Sequence, residues 1–164
     1  EVLRIPLMLS GPSWIGPRRV PAQVREIDIM PTLLDLCGLQ PKGDVQGVSL
    51  TPWMEGKRGD DLVAVSETER GGGQRAISDG RHKLIHFRQS ERVELYDLLS
   101  DSGERHDRAG ELPTVRERLE GLLWTWTEGT DRLRAQYWDE SAGPEQTDMN
   151  DEVIRRLEEL GYLG

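Results

Sequence analysis

The chain has 164 residues and a formal charge of −9 at neutral pH, so it has the length for a buried core but no general basic field to attract nucleic acid or an anionic membrane. Only 35% of its residues are hydrophobic, which predicts a core-poor chain that five tryptophans and regular apolar patterning keep from disorder. No apolar run approaches the ~18 residues of a membrane span, and any export signal would precede residue 1, which leaves the compartment unassigned.

The opening run Leu3-Arg4-Ile5-Pro6-Leu7-Met8-Leu9, ended by Gly11-Pro12, predicts a strand buried on both faces. A buried strand so near residue 1 needs sheet partners upstream, so the chain is expected to start mid-domain. Asp28 is placed to cap a helix, with Pro31 in its first turn and Ile27, Met30, Leu34 and Cys37 on one face. Gly38 and Pro41 close it. Cys37 is the only cysteine and reads as a small apolar residue at a helix end. A Pro/Gly-rich connector runs to about Gly59, with Trp53 and Met54 as anchors.

From Asp61 the pattern changes to short strands: Leu62 to Val65, Gln74 to Ser78, His82 to Phe87 and Val93 to Tyr96. Asp79-Gly80 between the second and third is a two-residue signal for a type I′ hairpin. Pro113 opens a helix whose Val115, Leu119, Leu122 and Trp126 recur at spacings that cover one sheet face. A polar stretch from Asp139 leads to a terminal helix, Asp151 to Leu160, with Gly161 as its stop. The expected organisation is 1–59 as the end of a larger α/β domain with its connector, 60–138 as a small antiparallel sheet with a packing helix, and 139–164 as a linker and terminal helix.

Three features imitate catalytic sites. His82 and His86 are four residues apart, which on a strand separates them by about 13 Å, beyond a shared ion. Gly71-Gly72-Gly73 lacks the Lys-Ser/Thr and the helix of a phosphate cradle and reads as a loop tip. The acidic turn Asp97 to Glu104 does not match the ligand spacing of a calcium loop and reads as solvated turn chemistry.

Several blocks, in order, resemble the second half of sulfatases of the alkaline phosphatase superfamily. They are Arg4-Ile5-Pro6-Leu7-Met8-Leu9 with Gly11-Pro12, Asp28-Ile29-Met30-Pro31-Thr32-Leu33-Leu34-Asp35-Leu36-Cys37-Gly38-Leu39, and Gly47-Val48-Ser49-Leu50-Thr51-Pro52. Then come Ser66-Glu67-Thr68, Arg75-Ala76-Ile77-Ser78-Asp79-Gly80-Arg81-His82-Lys83-Leu84-Ile85, Glu94-Leu95-Tyr96-Asp97-Leu98, and the ending Leu157 to Gly164. One departure is the turn Asp101-Ser102-Gly103-Glu104-Arg105-His106-Asp107-Arg108, where the family usually has Asp-Pro-x-Glu-x-x-Asn-Leu with a hydrophobic anchor.

The resemblance implies an alkaline phosphatase-like α/β parent, of which this chain is an α+β part: a last strand and helix of the large domain, then a four-stranded antiparallel sheet packed by a helix. It implies sulfate-ester hydrolysis by a formylglycine made from a Cys/Ser-x-Pro-x-Arg segment, assisted by a divalent cation, usually calcium. That segment is absent: Cys37-Gly38-Leu39-Gln40-Pro41 has its proline two positions late and no arginine after it. No catalytic residue and no metal ligand is therefore carried over to this chain, which alone is expected to be inactive. Glu67, Arg75 and His82 are the candidates for a substrate rim, against a reading of all three as ordinary solvated residues. The implied partners are the upstream catalytic half and, for the parent, a sulfated small molecule or glycan; the unpaired first strand predicts self-association. A phosphonate or phosphate ester hydrolase of the same superfamily, or a non-catalytic binding module, remain the alternatives.

Overall fold

The computed structural model describes residues 4–10, 16–69, 72–137 and 155–156. The chain divides into two compact units, Glu1–Trp126 and Thr127–Gly164. The polar stretch after Asp139 and the terminal helix, except residues 155–156, lie outside the described residues.

The first unit is built on a four-stranded antiparallel meander: β1 (Ala64–Thr68), β2 (Gln74–Ser78), β3 (His82–Phe87) and β4 (Arg92–Asp97), in that spatial order. Period-2 alternation puts Val65, Ile77, Leu84 and Leu95 in one cross-strand row, because each is registered opposite the next. Helix α3 (Pro113–Tyr137) covers that row: Leu119 and Leu123 join Ile77, Leu84, Leu95 and Ala109 in the core, with Val115 and Leu112 packed against it. The helix line differs from the expected one at one position. Leu122 is 39% exposed and Leu123 is fully buried, so the inward stripe runs 115, 119, 123 at steps of four.

The hairpin between β2 and β3 also differs in detail. Its closing backbone bond runs from Asp79 N to His82 O, which makes Gly80 and Arg81 the two central residues. Positive φ occurs at Gly80 alone, the pattern of a type II′ turn; type I′ needs it at both central positions. Past β4, Arg108 N donates to Leu95 O, while Asp107 Oδ1 accepts from Leu95 N and Ala109 N. This segment caps the outer edge of β4 and delivers Ala109 to the core, filling the anchor role that the altered acidic turn had put in question.

Before the sheet come a 3₁₀ turn (Glu26–Asp28), α1 (Ile29–Leu36) and the short α2 (Thr51–Met54). Asp28 stands at the N-cap position, yet its side chain makes no cap bond. Its fully buried carboxylate instead accepts from Arg25 N, Nε and Nη2 and from Val48 N, over 2.7–3.1 Å. Thr32 Oγ1 accepts from Leu50 N, so both residues clasp the 47–50 loop to the helix. A Cβ on Gly47 would collide with the Ile27 carbonyl, which explains glycine there. Trp53 is buried as expected, with Nε1 donating to Asp60 O and Arg58 over its ring.

Two apolar surfaces are left uncovered among the described residues. Residues 4–10 join no strand ladder among the described residues, and Ile5 and Met8 are 76% and 87% exposed. The apolar face of α1 also points outward: Ile27, Met30 and Leu33 are about half exposed, while Pro31 and Thr32 are buried. The four strands satisfy one another's inner ladders, and α1 spends its inner face on the clasp, so neither apolar surface has a neighbour to cover it.

Candidate functional site

The candidate rim residues lie on the helix-facing side of the sheet, two positions from the core row in opposite directions. At one end, register aligns Glu67, Arg75, His86 and Val93 across β1 to β4. Arg75 Nε donates to Glu67 Oε1, and both side chains are partly covered. His86 is 5% exposed, with Nε2 3.2 Å from Glu91 Oε2 and Nδ1 without a partner. Its ring meets Trp124 edge-on, with centroids 5.1 Å apart. The indole itself is 43% exposed.

His82 belongs to the other end, four residues away along β3, or about 13 Å at the strand rise. Its backbone amide donates to Asp79 Oδ1 at 2.7 Å, and its Nδ1 lies 3.7 Å from Asp79 Oδ2. Asp79 also accepts from Arg118 of α3, fastening the hairpin turn to the helix. Burial alone would push the Asp79 carboxyl up, but the His82 amide, Arg118 and the Arg81 amide together hold it below the ordinary value. Asp97, opposite His82 in the ladder, pairs with Arg81 at 3.0 Å and faces Arg108 at 3.7 Å. The Arg81 bond is the main reason its carboxyl is lowered. The acidic turn is thus not wholly solvated: Asp97 is buried, and Asp101 folds the turn by accepting from Arg105 N and His106 N at 2.8 Å.

The structure therefore brings Glu67 and Arg75 together and keeps His82 apart in a network that fastens turn to helix. Sequence reading missed His86, Trp124, Asp79, Asp97 and Arg118 as site-forming residues. The available signal was the alternation itself, which sets His86 on the same face as Leu84.

On the opposite sheet face Lys83 Nζ pairs with Glu104 at 2.7 Å. Tyr96 OH donates to Glu94 Oε2, and burial, then that bond, push its hydroxyl up to about 12. Among the described residues no three His, Cys, Asp or Glu side chains converge to hold a metal ion, and no helix is long and apolar enough to cross a membrane. This arrangement can position and bind; it holds no nucleophile with an adjacent base.

Comparison with known proteins fits this geometry. Residues 1–123 match the family described as N-sulphoglucosamine sulphohydrolase, C-terminal. The Delta 4,5-hexuronate-2-O-sulfatase of Bacteroides thetaiotaomicron is 29% identical over 123 residues, covering 66% of this chain and 25% of that protein. Arylsulfatase K of Xenopus laevis is 25% identical over 133 residues, covering 73% and 25%. Among solved structures, a 2-O GAG sulfatase superposes with a TM-score of 0.55 at 29% identity, over 66% of this chain and 26% of that one. BT4656, in complex with its substrate D-glucosamine-2-N,6-O-disulfate, gives 0.52 at 26% identity, over 74% and 25%. The chain thus spans about a quarter of the length of these relatives. By the match over its first 123 residues and the sheet-and-helix unit it shares with solved sulfatases, the chain belongs to the sulfatase C-terminal family.

Proposed function

We propose that the protein carrying this chain is a sulfuric ester hydrolase acting on a sulfated saccharide, and that this chain is its non-catalytic C-terminal part. The observation that carries this reading is the family match over residues 1–123. The names of the relatives support the saccharide as substrate class. Formylglycine and a calcium ion supply the chemistry in the parent, held by residues outside this chain. The described residues offer no cluster that fits such an ion, so no chemical step is routed through them.

This chain's own contribution is support and rim. The apolar face of α1 and the exposed residues 4–10 form the docking surface for the upstream catalytic half. Without that half they drive the chain to self-associate, which light scattering of the isolated chain against the parent tests. Glu67 and Arg75 serve as a rim element, one ion pair offering both signs of charge at the end of β1 and β2.

The experiment is sulfate release from 4-nitrophenyl sulfate and from a 2-O-sulfated unsaturated disaccharide, by the parent and by this chain alone. The parent is expected to release sulfate and to lose activity with a calcium chelator; the chain alone is expected to stay at background. No sulfate release from either ester by the parent, or turnover by the chain that tracks its purification, refutes the reading.

A further inference from the structure

We propose that Trp124, packed against His86 at the sheet end that also carries Glu91 and the Glu67–Arg75 pair, is a platform for one sugar ring of the parent's saccharide substrate, apart from the sulfate-ester chemistry. The proposal rests on the sulfatase reading for its ligand class.

A single exposed aromatic is ordinary; an immobilised one is not. Trp124 sits one residue from Leu123, which is fully buried, yet 43% of its surface is left in water. It is held in place from below: the His86 ring meets it at 76°, and His86 is itself buried and fixed through Nε2 to Glu91. The indole is thus wet on one side and packed on the other, the condition under which an aromatic side chain contributes contact area at little entropic cost.

The surroundings select the ligand. Arg75 is the cross-strand neighbour of His86, so the Glu67–Arg75 pair adjoins the same end of the sheet, and Glu91 is 77% exposed at its side chain. A pyranose ring presents an apolar C–H face and a rim of hydroxyls. The indole takes the face, and the exposed Glu91 carboxylate accepts from hydroxyls. A protein partner would require a broader apolar patch, but the large apolar neighbours on this side of α3, Leu119 and Leu123, are fully buried. What is open on this side is the indole, with charged neighbours at the sheet end.

Two measurements on the parent test this. The first is the ratio of kcat/KM for a sulfated heparin tetrasaccharide to that for 4-nitrophenyl sulfate, which has no sugar. Trp124→Ala should lower the ratio about tenfold, and Trp124→Phe should restore most of it. The second is calorimetric binding of the fully desulfated tetrasaccharide, which cannot be hydrolysed; Trp124→Ala should weaken it at least about fivefold. Trp124→Leu replaces the alanine variant if that one fails to fold. Equal binding by wild type and the alanine or leucine variant overturns the platform, whatever the turnover, and so does an unchanged ratio. Intact, Trp124-dependent binding with no sulfate release from either ester upholds the platform and refutes the sulfatase reading.

Discussion

Replacing Asp28 with alanine should be among the most destabilising single changes in the chain. The carboxylate is fully buried and accepts four hydrogen bonds, three from Arg25 and one from the Val48 amide. Removing it strands a largely covered guanidinium, 21% exposed, and an amide that holds the 47–50 loop. Breaking one side of a buried ion pair costs about 3–5 kcal/mol. A total stability of about 5–15 kcal/mol leaves little after such a loss. With a urea slope of about 2 kcal/mol per molar, the midpoint should fall by about 2 M. Trp53, buried in the adjoining α2, provides the fluorescence signal. Asp28→Asn keeps one acceptor oxygen and the shape, so it should cost about half as much, because that oxygen can serve either Arg25 Nη2 and the Val48 amide or Arg25 N and Nε, but not all four donors. If Asp28→Ala shifts the midpoint by less than about 0.5 M, water replaces the carboxylate at both donors and the clasp argument is wrong.

Leu123→Ala should cost about 2–5 kcal/mol, and Leu122→Ala, on the exposed side, within about 0.5 kcal/mol; urea titration yielding equal losses would return the helix stripe to the other register. Acid should destabilise the unit below about pH 4 and not above pH 5. The Asp28, Asp79, Asp97 and Asp101 carboxyls are all lowered in the folded chain, so their contribution is complete above the unfolded value and is lost as pH falls through the folded one. A urea midpoint that drops between pH 7 and 5 would instead implicate a histidine. In the parent, Arg75→Ala should raise KM for a sulfated saccharide and leave kcat on a small aryl sulfate within about tenfold, or ~1.4 kcal/mol of barrier. A collapse of kcat with folding intact would move Arg75 from the rim to the chemistry.

The strands β2 and β3 and the start of α3 were legible because each rule behind them is local: alternation of Ile77 and Leu84 with polar neighbours, and Pro113 at a helix start. The family was legible from the order of short blocks, none of which is specific alone. Asp28 was misread for a physical reason. An aspartate before a helix is usually a cap, and only the fold reveals that Arg25 and the Val48 amide, twenty residues on, outbid the helix amides for it. Leu122 and Leu123 differ by 100° on the helix wheel, and spacings of three and four fit either until the sheet chooses. The rim split for a related reason. Glu67 and Arg75 are eight residues apart and meet across a hairpin, whereas the separation of His82 follows from its position at the start of β3.

The meander has a consequence for how this part of the protein comes into being. Every ladder joins strands adjacent in sequence, so the sheet closes only short loops and its pairings need little of the chain at once. Its hydrophobic row is different: Leu84 and Leu95 stay open on one face until Leu119 and Leu123 have been made and have left the ribosome. During synthesis there is thus an interval of about 1–5 s, the time for ~25 residues, in which a paired sheet presents an uncovered apolar face. Arrival of α3 ends that exposure, and Arg118, reaching back to the Asp79 turn, registers the helix on the sheet as it docks.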